Sequence, residues 1–320
     1  MKLTSNPRGC GRSFGHHGEL LQGQFADANG TRHRALISLP CGLFRSDATF
    51  VPLAGAPLIV QPATKVKSLA AAKIALQTLD CASWGGTICV TDNIPHGWGL
   101  GSSTSDILAV IRAICDALGT SLPSEAIARM TVAAELAADP LMLESSHVLF
   151  AQREGRVLEK FAKPFPPMTV LGFNTSPDGR GIDTLALPLP RYTRRQLERF
   201  DVLLDRMRRA NAAGDVACIG EIATESATIN EQYVAKRFFP DLLEICLQSE
   251  AAGVQVAHSG TVAGLIFDPH SADVDSRMNA AAKSLQALGF GREWRFNYGE
   301  TEPKDAAAFC CMPAATVFGS

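Results

Sequence analysis

The chain has 320 residues, 46% of them hydrophobic and 19% charged, with a formal net charge of −2. That length holds one large or two ordinary domains with real cores, and the composition is that of a soluble globular protein, not a disordered one. The near-neutral charge gives no global attraction to nucleic acid or to an anionic membrane, so any anion site must be local.

In chain order, residues 15–25 place Gly15, Gly18 and Gly23 around Glu19 and read as a turn feeding a strand. His16 and His17 are neighbours, so in an extended chain they face opposite sides; with no third ligand near in sequence, no metal is expected there. Residues 35–39 and 48–51 read as strands. Residues 64–80 carry Val66, Leu69, Ala70, Ile74 and Leu79 at helical spacing, with Lys65, Lys67 and Lys73 between them reading as a solvated face, from which one lysine could reach a nucleotide. A β-branched strand at 86–90 then leads into a loop holding Pro95, Gly97, Gly99, Leu100 and Gly101. Ile107, Val110, Ile111, Ile114 and Leu118 follow at helical spacing, up to a terminating Gly119. Strand, glycine-rich loop, helix is an order suited to anions. The glycines permit close backbone approach, and the first N–H groups of the helix are unpaired within it. No Lys precedes Ser102 and Ser103, so this is not a Walker A loop.

A helix is expected over 123–138, with Ser121 or Ser124 to cap it. Glu135 and Asp139 stand four apart near its end, on one face if the helix persists, although Pro140 biases Asp139 away from helical geometry. Two like charges at that spacing repel; a bound cation reverses the sign. Residues 148–158 read as a hairpin, and the proline cluster at 164, 166 and 167 as the best domain boundary. A strand at 168–173 leads to a polar loop at 174–181. From 193 to 235 the chain is helical, with Arg194, Arg195, Arg206, Arg208 and Arg209 interleaved by Glu198, Asp201 and Asp205, the mark of a solvated face. A helix at 240–252, a strand–turn–strand at 254–267 centred on His258, Ser259 and Gly260, a helix at 271–288 and a strand at 294–296 complete the pattern.

Three of these segments resemble motifs of the GHMP kinases, in that family's order. Pro95 with Gly99-Leu100-Gly101-Ser102-Ser103 is similar to the phosphate loop, and Ser102-Ser103-Thr104-x-Asp106-Ile107 to the version in the propanediol-utilisation-type L-threonine kinase branch. Gly18-Glu19-Leu20-x-Gln22-Gly23 resembles the first motif of that branch, which has a Cys where His17 stands. Residues 254–267 resemble the glycine-rich third motif. Residues 135–139 are similar to the branch's Glu-Pro-Thr-Asp-Ser segment, one residue out of step, which keeps Glu144 as an alternative to Asp139.

The resemblance implies a two-domain α+β fold. Residues 1–163 would form an S5 domain 2-like nucleotide-binding domain and residues 164–320 a ferredoxin-like GHMP module. It implies an ATP-dependent kinase for the hydroxyl of a small metabolite, with L-threonine the first-choice acceptor, giving O-phospho-L-threonine in cobalamin-related metabolism. The nucleotide would lie on Pro95, Gly97, Gly99, Leu100, Gly101, Ser102, Ser103 and Thr104, Mg²⁺ on Ser103 and Glu135, and the acceptor against Glu19, Gln22, His258, Ser259 and Gly260, with Asp139 as the catalytic carboxylate. A kinase for another small alcohol or amino acid, and a nucleotide-binding homologue that is not a kinase, are the alternatives.

The nine cysteines, without a C-x-x-C pair, suit neither a disulfide framework nor a zinc site and fit a reducing compartment. The start of the chain lacks an apolar leader core, and no run of about 18 apolar residues occurs. The expectation is a cytoplasmic monomer or homodimer with a small-molecule substrate and no nucleic-acid or membrane partner.

Overall fold

A computed structural model describes residues 8–143, 147–176 and 190–299. Its centre is a mixed α/β arrangement around one sheet, with strand order β10-β7-β9-β8-β1-β2-β4-β3 and a side hairpin, β5 and β6, leaning on β2. The strands are β1 (Gly9–Ala26), β2 (Arg32–Ala54), β3 (Leu58–Gln61), β4 (Trp84–Asp92), β5 (Val148–Ala151), β6 (Arg156–Lys160), β7 (Met168–Asn174), β8 (Gly253–Val256), β9 (Val262–Phe267) and β10 (Glu293–Tyr298). The helices are α1 (Val66–Thr78), α2 (Ser102–Ala117), α3 (Ser124–Glu135), α4 (Arg194–Ala213), α5 (Val216–Asn230), α6 (Phe239–Gln248) and α7 (Val274–Ala287). The two strands expected at 35–39 and 48–51 are one long strand, β2, paired antiparallel with β1. The loop at 177–181 and Glu144 lie outside the described residues.

Between β8 and β1 the sheet is held by a single residue pair, Glu19 with Val256, whereas β1 and β2 pair along most of their lengths. Register shifts in β1 after Phe14, His16 and Glu19 mark bulges on this stretch, which re-aim side chains that a regular strand would alternate. His16 and His17 still face opposite sides, as neighbours in an extended chain do, and His17 turns into the core against the rings of Trp294 and Phe296. His16 turns the other way, toward the start of α2.

Three apolar clusters form the interior. One draws only on residues before 164, such as Phe50, Ile111 and Phe150; another only on residues after it, such as Phe173, Leu242 and Phe290. The third is shared, packing Leu20, Phe44 and Trp98 with Phe200, Ile266 and Trp294. Helix α2 is buried along nearly its whole length and lies directly on β1. A Cβ on Gly11 would come within 2.0 Å of the Ala109 carbonyl oxygen, so that contact requires glycine.

Helix α1 departs from its sequence reading. Its buried stripe is Ser68, Ala71, Ala72, Ala75 and Leu76, small residues that let it approach α2, while Val66 is exposed. Nor is Lys65 solvated: its ammonium lies 2.5 Å from both Asp92 Oδ2 and Asp106 Oδ2, and Asp106 also accepts from Ser46 Oγ at 2.7 Å. Asp92 ends β4 and Asp106 sits in the second turn of α2, so one cation ties both ends of the glycine-rich loop. The arginines of α4 fit the solvated-face reading, pairing with Glu198, Glu225, Glu221 and Glu159. Among the described residues, cysteines 81, 89, 115, 218 and 246 are free thiols. No helix among the described residues is long and apolar enough to cross a membrane.

Lys65→Met would leave two carboxylates facing one another without their shared cation. Loss of one partner from such a partly buried cluster costs about 3 kcal/mol. Urea unfolding should show a loss of that order, and a variant as stable as wild type would contradict this role for Lys65.

Candidate active site

The glycine-rich loop, the start of α2, the end of α3 and the turn between β8 and β9 enclose a cavity of about 230 Å³. Gly97, Gly99 and Gly101 have φ of 76°, 85° and 75°, a region side chains rarely adopt, and Gly101 forms the left-handed entry to α2. The backbone N–H groups of the first turn of α2, from Ser102 to Thr104, therefore lie at the cavity, where a helix offers unpaired donors and partial positive charge. The β8–β9 turn closes the opposite wall. Thr261 and Val262 both donate backbone hydrogen bonds to the Trp98 carbonyl, at 3.0 and 3.1 Å, and a Cβ on Gly99 would lie 1.5 Å from the Ser259 carbonyl oxygen. Glycine is obligatory at that contact.

Helix α3 ends at Glu135, and Leu136 takes a left-handed conformation with φ of 70°, so Glu135 and Asp139 do not share a helix face. The tight turn nevertheless brings both to the same place, with Thr104 Oγ1 donating to Glu135 Oε1 at 2.6 Å and lying 3.4 Å from Asp139 Oδ2. Asp139 is buried and lines the cavity. Burial pushes the Glu135 carboxyl up, against hydrogen bonds from Ser103 and Thr104 that favour its charged form. Lys67 Nζ is 3.6 Å from Glu135 Oε2 and also lines the cavity, so it too is no simple surface lysine.

Behind Asp139 lies a cluster that spacing along the chain could not reveal. His16 is sealed from solvent, with Nε2 3.2 Å from Asp139 Oδ2 and Nδ1 3.5 Å from Glu19 Oε1. The ring of His258 runs parallel to it, 6.2 Å away at 19°, with Nδ1 2.9 Å from Glu19 Oε1 and Nε2 4.0 Å from Asp139 Oδ1. Two imidazoles thus stand between the same two carboxylates. Burial alone would lower the pKa of His16, but Asp139 and then Glu19 overcome it and raise it to about 9. For Asp139 burial works upward, yet His16, by its charge and its hydrogen bond, holds the carboxyl far below the usual carboxylate range. His16, Glu19 and Asp139 are close enough to share a cation, correcting the expectation that His16 has no ligand neighbours. However, the two nitrogens of His16 face different carboxylates, the arrangement of an imidazolium between two anions. His17, by contrast, is driven down to about 3 by burial and then by the charge on His16.

Of the residues singled out in the sequence, Gly97, Gly99, Gly101, Ser102, Ser103, Thr104, Glu135, Asp139, His258, Ser259 and Gly260 line the cavity. Leu100 does not, its side chain being in the core and its carbonyl accepting from His16 N–H at 3.1 Å. Pro95 is not on the lining, and neither are Glu19, which supports His258 from below, and Gln22, whose backbone N–H is bonded to Ser226 Oγ at 2.9 Å. His16 and Gln152 carry no signal in the sequence that marks them as site residues, and Lys67 is the one of the three α1-region lysines that lines the cavity. Only the glycines flanking His16 hinted that its backbone was special.

Residues 65–142 match the family model described as GHMP kinases N terminal domain. An L-threonine kinase from Salmonella typhimurium (strain LT2) is 28% identical over 196 residues, covering 60% of this chain and 64% of that protein. The chain thus spans less than two thirds of that relative's length. A homoserine kinase from Cytophaga hutchinsonii superposes with a TM-score of 0.67 at 15% identity, covering 93% of this chain and 96% of its own. MDDEF in complex with MVAPP, AMPPCP and magnesium superposes with a TM-score of 0.60 at 14% identity, covering 91% and 97%. At these identities the superpositions show the fold alone. Over residues 65–142 the chain is similar to the GHMP kinases, and the curated proteins it resembles include L-threonine kinases.

The ion cluster carries a pH signature. Because its pKa is raised, His16 contributes stability that is complete below its ordinary value of 6.5 and lost as the pH rises through about 9. Asp139, whose pKa is lowered, contributes stability that is complete above 3.8 and lost only in strong acid. His17 titrates in the opposite sense to His16 below 6.5, so the difference between proteins is the informative quantity. The stability advantage of wild type over His16→Gln, measured by urea unfolding, should be constant from about pH 4 to 6.5 and shrink toward pH 9. A pH-independent difference would show that His16 is neutral.

Proposed function

We propose that the protein is an ATP-dependent kinase for the hydroxyl of a small metabolite, with L-threonine or a related hydroxylated amino acid as acceptor. The observation that carries this reading is the convergence, in one cavity, of an open helix N-terminus and two differently tuned carboxylates, Glu135 and Asp139. Phosphoryl transfer asks for positioning and charge neutralisation more than for covalent help. Backbone N–H groups of residues 99–104 would hold the nucleotide phosphates. Glu135 and Ser103 offer an all-oxygen donor pair, and a carboxylate whose charge is disfavoured by burial gains from a cation, so this pair fits Mg²⁺. When bound, the ion would neutralise phosphate charge. Lys67, on the same wall, adds a second positive group.

Asp139 would accept a hydrogen bond from the acceptor hydroxyl, its carboxylate fixed by His16. Residues 1–163 would act as the nucleotide domain and residues 164–320 as the domain that completes the acceptor side; one apolar cluster private to each half and one shared between them support that division.

ADP release measured across a panel of amino acids and small alcohols should rise with one hydroxylated acceptor and stay at background without it. Asp139→Asn should bind ATP·Mg nearly normally yet turn over that acceptor at least ~100-fold more slowly, the usual cost of losing a positioned group. ATP binding with no acceptor-dependent ADP release anywhere in the panel would favour a binding homologue over a kinase. Glu135→Gln, nearly constant in volume, should raise the magnesium concentration needed for half-maximal activity; an unchanged titration would remove Glu135 from the metal site.

A further inference from the structure

In the cluster behind the cavity, His258 is the imidazole open to a ligand. Its side chain is 22% exposed, whereas those of His16 and Glu19 are sealed. Glu19 fixes it twice: Oε2 accepts the backbone N–H of His258 at 2.5 Å, and Oε1 lies 2.9 Å from ring Nδ1. An ionised carboxylate only accepts, so the hydrogen of the neutral ring is on Nδ1 and the lone pair is on Nε2. Nε2 stands 4.0 Å from Asp139 Oδ1, beyond a direct hydrogen bond. A hydroxyl placed on the cavity side of that gap can share its single hydrogen between the two acceptors as a three-centre bond, from which it passes to Nε2.

The same cluster disqualifies its other members as proton acceptors. His16 is buried between two carboxylates, and Asp139 cannot be protonated without giving up its ion pair with His16. We propose that His258 is the proton acceptor of the transfer reaction, oriented by Glu19 as a carboxylate–imidazole dyad, while Asp139 aligns the same hydroxyl. The inference rests on the kinase reading above. In the step, the acceptor oxygen forms a bond to the γ-phosphorus of ATP, and the bond from that phosphorus to the β,γ-bridging oxygen breaks. Its electron pair leaves with ADP, and the hydroxyl proton passes to Nε2. The resulting imidazolium is stabilised by Glu19 and Asp139 and returns its proton to solvent after product release. The logic is that of other dyads in which a carboxylate sets the tautomer and a histidine takes the proton.

The test uses the full chain, ATP, Mg²⁺ and the acceptor found in the panel. His258→Ala should lower kcat by about 10²-fold or more, the usual share of general base catalysis, with ATP affinity unchanged. Added imidazole should restore part of the loss, and substituted imidazoles should restore more as their basicity rises. His258→Gln, which keeps the volume and guards against a folding defect, should show the same loss in kcat without recovering in imidazole. Either variant within about threefold of wild type would overturn the proposal, as would a His258→Ala defect that imidazoles do not relieve or that lies entirely in KM. Wild-type protein that turns over no acceptor would instead overturn the kinase reading, and this inference with it.

Discussion

Everything at the site hangs on the buried pairing of two imidazoles with two carboxylates. Glu19 and Asp139 come from opposite ends of the first half of the chain, and His258 from far into the second. Three of these groups are buried and His258 partly so, which is tolerable only because each faces an opposite charge or a hydrogen-bonding partner. The cluster sits where β1 and β8 share one residue pair, and Glu19 is a member of that pair. A seam of one residue pair is thus bridged by a cluster of ionisable side chains. Removing either carboxylate would take a partner from both imidazoles and loosen the contact between the halves of the cavity wall.

The glycine-rich loop depends on the same cluster from one side and on Lys65 from the other. Gly101 has no side chain because His16 and Asp139 occupy that space; a Cβ there would lie 2.6 Å from His16 Cδ2. The His16 N–H bond to the Leu100 carbonyl fixes the loop against β1, and Lys65 clasps Asp92 and Asp106 at its two ends. A helix N-terminus is a weak anion site when its loop is free to move. Here the backbone donors are held before any ligand arrives, which lowers the ordering cost that binding would otherwise carry.

Local pattern in the sequence revealed the strand–loop–helix at 86–118, the hairpin at 148–158 and the turn around Gly260, because periodicity and glycine placement are short-range signals. The carboxylates Glu135 and Asp139 were found as a pair, but for the wrong reason: a left-handed Leu136 and an extended Asp139, not an unbroken helix, bring them together. His16 was unreadable as a site residue because the carboxylate it meets at the cavity, Asp139, lies 123 positions away on another element. The lysines of α1 misled for a similar reason. Alanines, not the larger apolar residues, face α2, which rotates Lys65 and Lys67 toward acids contributed by other elements.

The central claim is that this cluster prepares a hydroxyl to receive a phosphoryl group, and ³¹P NMR of a reaction mixture containing the protein, ATP, Mg²⁺ and L-threonine tests it most directly. Transfer to the threonine hydroxyl predicts a new phosphomonoester signal, split into a doublet by the single proton on the ester carbon, growing as the γ-phosphate signal declines. Growth of inorganic phosphate alone, or an unchanged ATP spectrum with threonine and every other hydroxylated acceptor, would contradict the account.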